Sequence, residues 1–396
     1  MPATSQASKD FNLFSLNFLN ELIPKQKSNT QSSIKSKDFS RDRKLTLPIV
    51  IALIINMVRP GKRFGYQEVI NRFYSETGLA HQEGSNESPP DKAAFCRARQ
   101  KLPLDIFREL FGKAVSKAEE MAAQIGETTW HGFRVLAIDG TKKIMTYSEQ
   151  LEAFFGIPSG SSFPQMLACA LYDVLVKIPL DVVYGPFDSS ERDMARLLFK
   201  DLGKTDLLLM DRGYPSFELL SEMFYLGFQF MVRLPITGLF KEVRVFLDKG
   251  HRDGILTIHP PAYLISELKK QGKPIPCPLR LRVIKMRLPN GKKAVFITTL
   301  LDKVKYPVTQ LKNLYHLRWE EEEFFKLTKG LLDAESFRGK CLLLIGQELM
   351  ALHLYCLLTR ILIMECAISN QIPLANIPQQ AAHYPKFEYP MRNVEC

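Results

Sequence analysis

The stretch TDLLLMDRGY (205–214) decides the fold. Its first part, residues 205–210, is a short and almost continuous apolar run, a pattern typical of a β-strand that is buried on both faces. Asp211 and Gly213 then bring in turn-forming residues, so we expect the strand to end at Asp211. A strand that is buried on both faces needs a layer of helices on each side. The stretch therefore predicts an α/β sheet.

Strand and helix patterns alternate on both sides of this stretch. Strands are predicted at 133–138, 165–174, 180–185 and 228–234, and helices at 189–202, 216–226, 308–332 and 341–366. Residues 235–302 interrupt the alternation with several β-type runs, two of which meet at Asn290-Gly291, a strong hairpin signal. We interpret this segment as a β-rich insertion. The predicted fold class is α/β, with a mixed sheet flanked by helices.

Residues 1–125 show helical patterns, and we interpret them as an N-terminal DNA-binding region. Within it, residues 24–44 are polar and basic with few apolar side chains, as expected for a flexible linker. Arg97 and Arg99 lie on a predicted helix that Asp91 caps, and they are candidate DNA contacts. The whole chain has 53 Lys and Arg residues against 42 Asp and Glu residues, and its net charge of +11 fits a polyanionic partner.

Composition excludes several other classes of protein. The seven cysteines are scattered and form no C-x-x-C pair, which argues against a disulfide framework or a zinc ribbon and favours a reducing cytoplasm. The longest apolar stretch, 47–58, is shorter than the about 20 residues that a membrane span needs. We therefore predict a cytoplasmic protein without a membrane partner.

Two aspartates follow strongly apolar strands: Asp139 after residues 133–138, and Asp211 after residues 205–210. In an open α/β sheet the strand ends form the crevice where ligands bind, so these carboxylates are candidates to share a metal ion. Asp and Gly are also common in simple turns. For either aspartate alone, the residues leave both interpretations open.

The predicted helix 308–332 favours the functional interpretation. At about 100° per residue, four of its polar side chains fall on one narrow stripe opposite an apolar one. The polar stripe consists of Tyr315, Arg318, Glu322 and Lys329, and the apolar stripe of Leu317, Phe324 and Leu331. Four consecutive glutamates at 320–323 are usually a solvated face. That alternative does not explain why Glu322 is aligned with Tyr315 and Arg318.

The spacing Tyr315-x2-Arg318-x3-Glu322-x6-Lys329 resembles the signature of bacterial insertion-sequence transposases of the DDE type. The family's two aspartates occur in contexts that are matched here by LAIDGT (136–141) and LLLMDRGY (207–214). A β-rich insertion before the glutamate helix is also a family feature. The resemblance covers residues 45–345 and implies a ribonuclease-H-like catalytic fold.

The resemblance also implies the chemistry. Asp139, Asp211 and Glu322 would be the catalytic and metal-binding triad. They would hold two Mg²⁺ ions, for which Mn²⁺ can substitute. Tyr315, Arg318 and Lys329 would hold the DNA strand near the cleavage point. Trp319 is a candidate for stacking on an unpaired base, although packing in the core is the slightly favoured interpretation. The expected partners are double-stranded DNA, as element ends and target, and a second copy of the chain in a synaptic complex.

The expected function is Mg²⁺-dependent cleavage at the ends of an insertion sequence and strand transfer into target DNA. The expected location is the bacterial cytoplasm, where the enzyme associates with the nucleoid when it is bound to DNA. The alternatives are a nuclease of the same fold without strand transfer and an inactive DNA-binding protein derived from a transposase. The intact signature counts against the inactive protein. The predicted regions are 1–125, 126–234 with 303–345 (catalytic), 235–302 (insertion) and 346–396 (C-terminal, helical).

Overall fold

The computed structural model describes residues 3–23, 38–39, 44–58, 64–79, 88–235, 240–288, 291–320, 324 and 337–377. The chain divides into two compact units. Unit 1 comprises Met1–Glu127, Lys142–Met166 and Phe324–Cys396, and unit 2 comprises Thr128–Thr141 and Leu167–Glu323.

Unit 1 is built from helices. They are α1 (Ala3–Leu22), α2 (Leu47–Val58), α3 (Tyr66–Glu76), α4 (Lys92–Gln100), α5 (Leu104–Ile125), α6 (Glu149–Phe155) and, numbered α12 in chain order, Leu342–Ser369. Asp91 is the N-cap of α4, as predicted: its side chain accepts a hydrogen bond of 2.8 Å from the amide of Ala93. The helical prediction for residues 1–125 is therefore confirmed over the part of that region that the structure describes.

Helix α12 forms the centre of unit 1 and packs against α2 and α5. It is buried around most of its circumference, and even Gln347 and Glu348 are inaccessible to solvent. Among the described residues, α12 is the one helix that is long and apolar enough to cross a membrane, although the predicted longest apolar stretch is 47–58. A mostly buried core helix passes the same test, so this feature is weak evidence for a membrane span.

The sheet has eight strands within the described residues. They are β1 (Arg134–Ile144), β2 (Gln165–Asp173), β3 (Ile178–Pro186), β4 (Asp206–Met210), β5 (Gln229–Leu234), β6 (Asp253–Ile258), β7 (Leu279–Arg287) and β8 (Lys293–Thr298). Their spatial order is β3-β2-β1-β4-β5-β8-β7-β6. The accompanying helices are α7 (Glu191–Leu197), α8 (Phe217–Leu226), α9 (Lys241–Asp248), α10 (Ala262–Lys270) and α11 (Val308–His316).

The strand pairing makes the sheet mixed. β4 lies between β1 and β5 and is parallel to both, whereas β5–β8, β8–β7 and β7–β6 are antiparallel. One face of the sheet forms a continuous apolar core with side chains from α7, α8, α9 and α10. The predicted α/β class, a mixed sheet with flanking helices, is confirmed, and its ribonuclease-H-like character stays a prediction.

The segment 235–302 contains the predicted hairpin between β7 and β8. Gly291 has a φ of +78°, a conformation that favours glycine, while Asn290 lies outside the described residues. The three strands of this segment continue the main sheet beyond β5, and two helices accompany them. The segment is therefore part of unit 2 and, over the described residues, does not form a sheet of its own.

Two predicted element ends differ in the structure. β1 continues through Asp139 to Ile144. The predicted helix 308–332 is interrupted, because α11 ends at His316 and the amides of Leu317 and Arg318 bond three residues back in a tightened turn. Trp319 and Glu320 are again helical.

Candidate active site

Asp139 and Asp211 lie side by side on adjacent parallel strands. The register pairs Arg134 with Asp206 and Ala137 with Leu209, a constant offset of 72 residues. The same offset separates 139 from 211, so Asp139 in β1 is level with Asp211, which directly follows β4. The structure therefore brings together the two aspartates that the sequence placed at strand ends.

The carboxyl group of Asp139 is mostly buried among polar neighbours. The amide of Gly140 donates a hydrogen bond of 2.9 Å to Oδ1, and Nη1 of Arg318 lies 3.7 Å from Oδ2. Burial raises the pKa of this carboxyl above its ordinary value; the Gly140 amide and the Arg318 charge oppose that shift, while the charges of Glu191 and Asp211 add to it. The site thus favours a cation close to this carboxylate.

Asp211 meets a second set of donors. The hydroxyl group of Tyr315 donates to Oδ1 over 3.4 Å, and Nη1 of Arg233 lies 3.5 Å from the same oxygen. The side chain of Asp211 is 31% exposed to solvent, and that of Asp139 is 27% exposed. Both can therefore reach a ligand that enters from solvent.

Tyr315 and Arg318 form a buried pair beside the aspartates. The Arg318 guanidinium lies 5.8 Å from the centre of the Tyr315 ring, and this ring also contacts Phe296, with ring centres 4.5 Å apart. Burial raises the pKa of the Tyr315 hydroxyl far above its ordinary value, so it stays a neutral donor at physiological pH. The polar stripe predicted for this helix thus faces the carboxylates, at least at these two positions.

Trp319 is 48% exposed, and its ring centre lies 5.7 Å from that of His316. The interpretation of Trp319 as a core residue is therefore wrong. About half of the residue is accessible to solvent, and base stacking stays a prediction.

Glu322 and Lys329 lie outside the described residues, so their predicted places in the site stay predictions. Over the described part of the chain, no group of three His, Cys, Asp or Glu side chains could hold a metal ion. Asp139 and Asp211 supply two carboxylates, and carboxylate oxygens are the ligands that Mg²⁺ prefers. The donor set present fits a hard divalent cation that needs a further ligand.

Two residues beside the aspartates were missed in the sequence. Arg233, which contacts Asp211, is the single charged residue of the apolar run FQFMVRL (228–234), and that isolation was an available signal. Glu191 at the start of α7 covers Gly140 so closely that a Cβ there would lie 3.0 Å from its carboxyl carbon. A larger residue at position 140 would require the flexible side chain of Glu191 to shift by a few tenths of an ångström. Nothing in the local sequence marks Glu191.

The two arginines of α4 differ in environment. Arg97 is exposed, and its predicted DNA contact stays open. Arg99 is buried; its guanidinium forms an ion pair of 2.8 Å with Glu348 and hydrogen bonds of 2.8 Å with Gln347 and the carbonyl of Leu344. The structure contradicts the prediction of Arg99 as a DNA contact, because this side chain lies inside unit 1 on the same helix face as Phe95.

Comparisons with known proteins identify the family of the chain. The family described as Transposase DDE domain matches residues 130–358, more than half of the chain and a range that contains Asp139, Asp211, Tyr315 and Arg318. A curated relative, Transposase InsG for insertion sequence element IS4 from Escherichia coli (strain K12), is 25% identical over 317 residues, which cover 78% of this chain and 68% of the relative.

Among solved structures, the piggyBac transposase synaptic complex with hairpin DNA aligns with 95% of this chain and 85% of its own, at 10% identity and a TM-score of 0.35. That similarity is too low to support a common fold or function. The match to the family over more than half of the chain does not depend on it. On that match, the chain belongs to the Transposase DDE domain family and is an enzyme of the transposase type.

Proposed function

We propose that this chain cleaves DNA strands at the ends of an insertion sequence and transfers them into target DNA, in a reaction that depends on Mg²⁺. The observation that carries the proposal is the alignment of Asp139 with Asp211 on parallel strands, with Tyr315 and Arg318 directed at them. The relative InsG, a transposase for an insertion sequence element, supports the same substrate for this chain.

The residues fit a pair of divalent cations. Asp139 and Asp211 would hold them, with Glu322 as the third carboxylate that the family signature implies. When bound, two Mg²⁺ ions, or Mn²⁺ in their place, activate the attacking oxygen and stabilise the leaving one. The partial exposure of both aspartates leaves room for the phosphate and water oxygens that complete the coordination of Mg²⁺.

The protein's own groups would orient the DNA strand. Arg318 offers a planar fork that suits a phosphate group, and Tyr315 keeps its proton and donates a neutral hydrogen bond. Lys329 would add a second cation, and the exposed ring of Trp319 would stack on an unpaired base. These contacts would position the scissile phosphate next to the carboxylates.

The remaining parts of the proposal concern partners and location. The helical region 1–125 would bind the element ends, with Arg97 on its exposed surface. Two copies of the chain would act together in a synaptic complex, because an element has two ends. The reaction would take place in the bacterial cytoplasm, with the protein bound to the nucleoid through DNA.

The test replaces each carboxylate by its amide in the full chain. Asp139→Asn, Asp211→Asn and Glu322→Gln keep the size of the side chain and remove the charge, so each should abolish strand cleavage and strand transfer together with Mg²⁺ and with Mn²⁺. Binding to the element ends should survive, because most DNA contacts come from other residues.

Glu321→Gln is the matched control, since residue 321 points away from the predicted stripe, and it should stay active. A dead Glu321→Gln with an active Glu322→Gln would refute the predicted register. Cleavage without strand transfer by the parent protein would favour the nuclease. DNA binding without any cleavage would favour the inactive binding protein.

A further inference from the structure

Four basic residues meet at one end of the strands β6, β7 and β8. This basic cluster consists of Arg252, Lys285, Arg287 and Lys293. Arg287 and Lys293 are directly opposite each other at the base of the β7–β8 hairpin. The amide of Lys285 donates a hydrogen bond of 2.7 Å to the carbonyl of Arg252, which places these two residues next to each other as well.

The alternation of side chains puts the cluster on one face of the sheet. Lys285 and Arg287 continue the series that begins with Leu281 and Val283, and both of these leucine and valine side chains lie in the apolar core. Lys293 lies two residues before Val295 on β8, so the two side chains are on the same face. Val295 belongs to the apolar core and pairs with Lys285. The cluster is therefore the polar end of the core face, where the strands extend past the apolar residues.

Within the described residues, the charges of the cluster have no acidic partners. Like charges that are directly opposite on neighbouring strands destabilise a sheet. Another arginine of β7 does have an acidic partner: Arg282 donates two hydrogen bonds of 2.8 Å to Asp253 of β6. Over the part of the chain that the structure describes, no carboxylate forms an ion pair with any member of the cluster. A polyanion outside the protein is the partner that such an arrangement suits.

The cluster lies at the same end of the sheet as the catalytic aspartates. β8 is antiparallel to β5 and its Val295 pairs with Leu234, so β8 starts where β5 ends. β5 is parallel to β4 and β1, which reach Asp211 and Asp139 at that end. The aspartates belong to the opposite face, because Ile138 and Met210 next to them point into the apolar core. DNA held by the cluster would therefore be a different segment from the one at the aspartates, at the same end of the sheet but on its other face.

We propose that the basic cluster binds the phosphate backbone of duplex DNA that flanks the segment at the carboxylates, without preference for base sequence. Arg and Lys on a short, rigid hairpin provide point charges and a planar fork for phosphate oxygens. The inference rests on the proposed function, since it assumes that DNA is the substrate of Asp139 and Asp211.

The test measures the affinity of the full chain for a duplex of arbitrary sequence over a series of salt concentrations. The slope of log K against log [salt] is negative, and each lost phosphate contact reduces its magnitude by about 0.9, so Arg287→Gln/Lys293→Gln should reduce the magnitude by about 1.8. Arg287→Lys keeps the charge and should keep the slope. The melting temperature of the double variant should equal or exceed that of the parent, because a repulsive pair is removed.

Lys269→Gln/Lys270→Gln is the matched control. It removes two charges from exposed residues at the end of α10 in the same unit, and its slope should equal that of the parent. An unchanged slope in the folded Arg287→Gln/Lys293→Gln variant, or an equal decrease in the control, would overturn the inference while leaving the function intact. A parent protein that does not bind duplex DNA would overturn both.

Discussion

At the scale of single residues, each of the two site aspartates lies between a cation and a neutral donor. Asp139 lies near Arg318 and the Gly140 amide, and Asp211 lies near Arg233 and the Tyr315 hydroxyl. Burial raises the pKa of Asp139, so the neighbouring guanidinium helps to keep its carboxylate ionised. Arg318 therefore stabilises the carboxylate of Asp139 in its charged form, the form that would bind a metal ion.

Arg318→Lys tests the geometry of this contact. Lysine keeps the charge but replaces a planar fork with a point charge, so the orientation of the phosphate should suffer more than the charge balance. Loss of one charge-assisted hydrogen bond corresponds to a decrease of roughly 10- to 100-fold in the rate of strand cleavage. Single-turnover cleavage of element-end DNA measures the effect, and a rate equal to that of the parent would show that Arg318 contributes only its charge.

Trp319 allows a separate test of base stacking. The indole is about half exposed, so Trp319→Ala should change the melting temperature little, whereas truncation of a core tryptophan costs about 3–5 kcal/mol. If the ring stacks on a base, Trp319→Ala should slow cleavage and Trp319→Phe should restore most of the rate. A large loss of stability in Trp319→Ala with an unchanged cleavage rate would point back to a packing role.

At the scale of elements, the sequence predicts those parts whose signal is local. β4 was predicted at 205–210 and spans Asp206–Met210, because an apolar run bounded by turn residues is short and unambiguous. β1 was predicted to end at Asp139, since Asp-Gly is typical of a turn. Pairing with neighbouring strands carries it to Ile144, and that is a non-local effect. The alignment of Asp139 with Asp211 depends on the same pairing, so the sequence indicates both carboxylates without fixing their register.

The ion pair between α4 and α12 shows the same limit. Arg99 looks like a surface cation in the local pattern of α4, and its burial depends on Glu348, which is 249 residues away in the chain. We expect Arg99→Met to lower the free energy of unfolding by about 3–5 kcal/mol, because it leaves a buried carboxylate without its partner. Arg97 is exposed and lies two residues before Arg99 on α4, so Arg97→Gln should change the free energy of unfolding by less than about 0.5 kcal/mol. Urea denaturation measures both.

Combining Arg99→Met with Glu348→Gln provides the reciprocal control. The side chain that Glu348→Gln introduces carries no charge. Its carbonyl oxygen can still accept hydrogen bonds from the backbone amides of Arg338 and Gly339. The double variant should therefore be more stable than Arg99→Met alone. Equal stabilities would show that the charge of Glu348 is not what makes Arg99→Met costly.

His353 in α12 makes unit 1 sensitive to acid. Burial, with a smaller contribution from the charge of Lys143, lowers the pKa of His353 from 6.5 to about 4. The imidazole is neutral in the folded state and takes up a proton on unfolding, so stability is fully present above about pH 6.5 and decreases as the pH falls toward 4. The loss amounts to roughly 3 kcal/mol at the acid end.

The free energy of unfolding, measured by urea denaturation between pH 7 and pH 4, gives this dependence. His353→Asn removes the titrating group and should have a flatter pH dependence, even if its stability at pH 7 is lower. If parent and variant lose stability in parallel over this range, another group is responsible.

At the scale of the whole molecule, the predicted N-terminal region is one part of a larger compact unit. Unit 1 combines residues from the start, the middle and the end of the chain. Residues 49–55 of α2 are almost fully buried, and the long α5 buries a face of its own. Both helices pack against α12, which follows the catalytic segment in the sequence. The helical part and the catalytic part are therefore interleaved in the chain although each forms a compact unit.

A fragment of residues 1–127 should consequently fail to fold. The five buried leucines of α12 (Leu349, Leu352, Leu354, Leu357 and Leu358) contribute about 1.5–3 kcal/mol each, which together equals the entire stability of a typical domain of about 5–15 kcal/mol. Circular dichroism of the fragment should show reduced helicity and no cooperative melting transition. A fusion of residues 1–127 to residues 337–377 through a flexible linker should recover helicity and a transition, because it restores the cover of α2 and α5. A fragment that melts as cooperatively as the fusion would contradict the role of α12 as the core of unit 1, and only then would DNA binding by the isolated N-terminal region be informative about the intact protein.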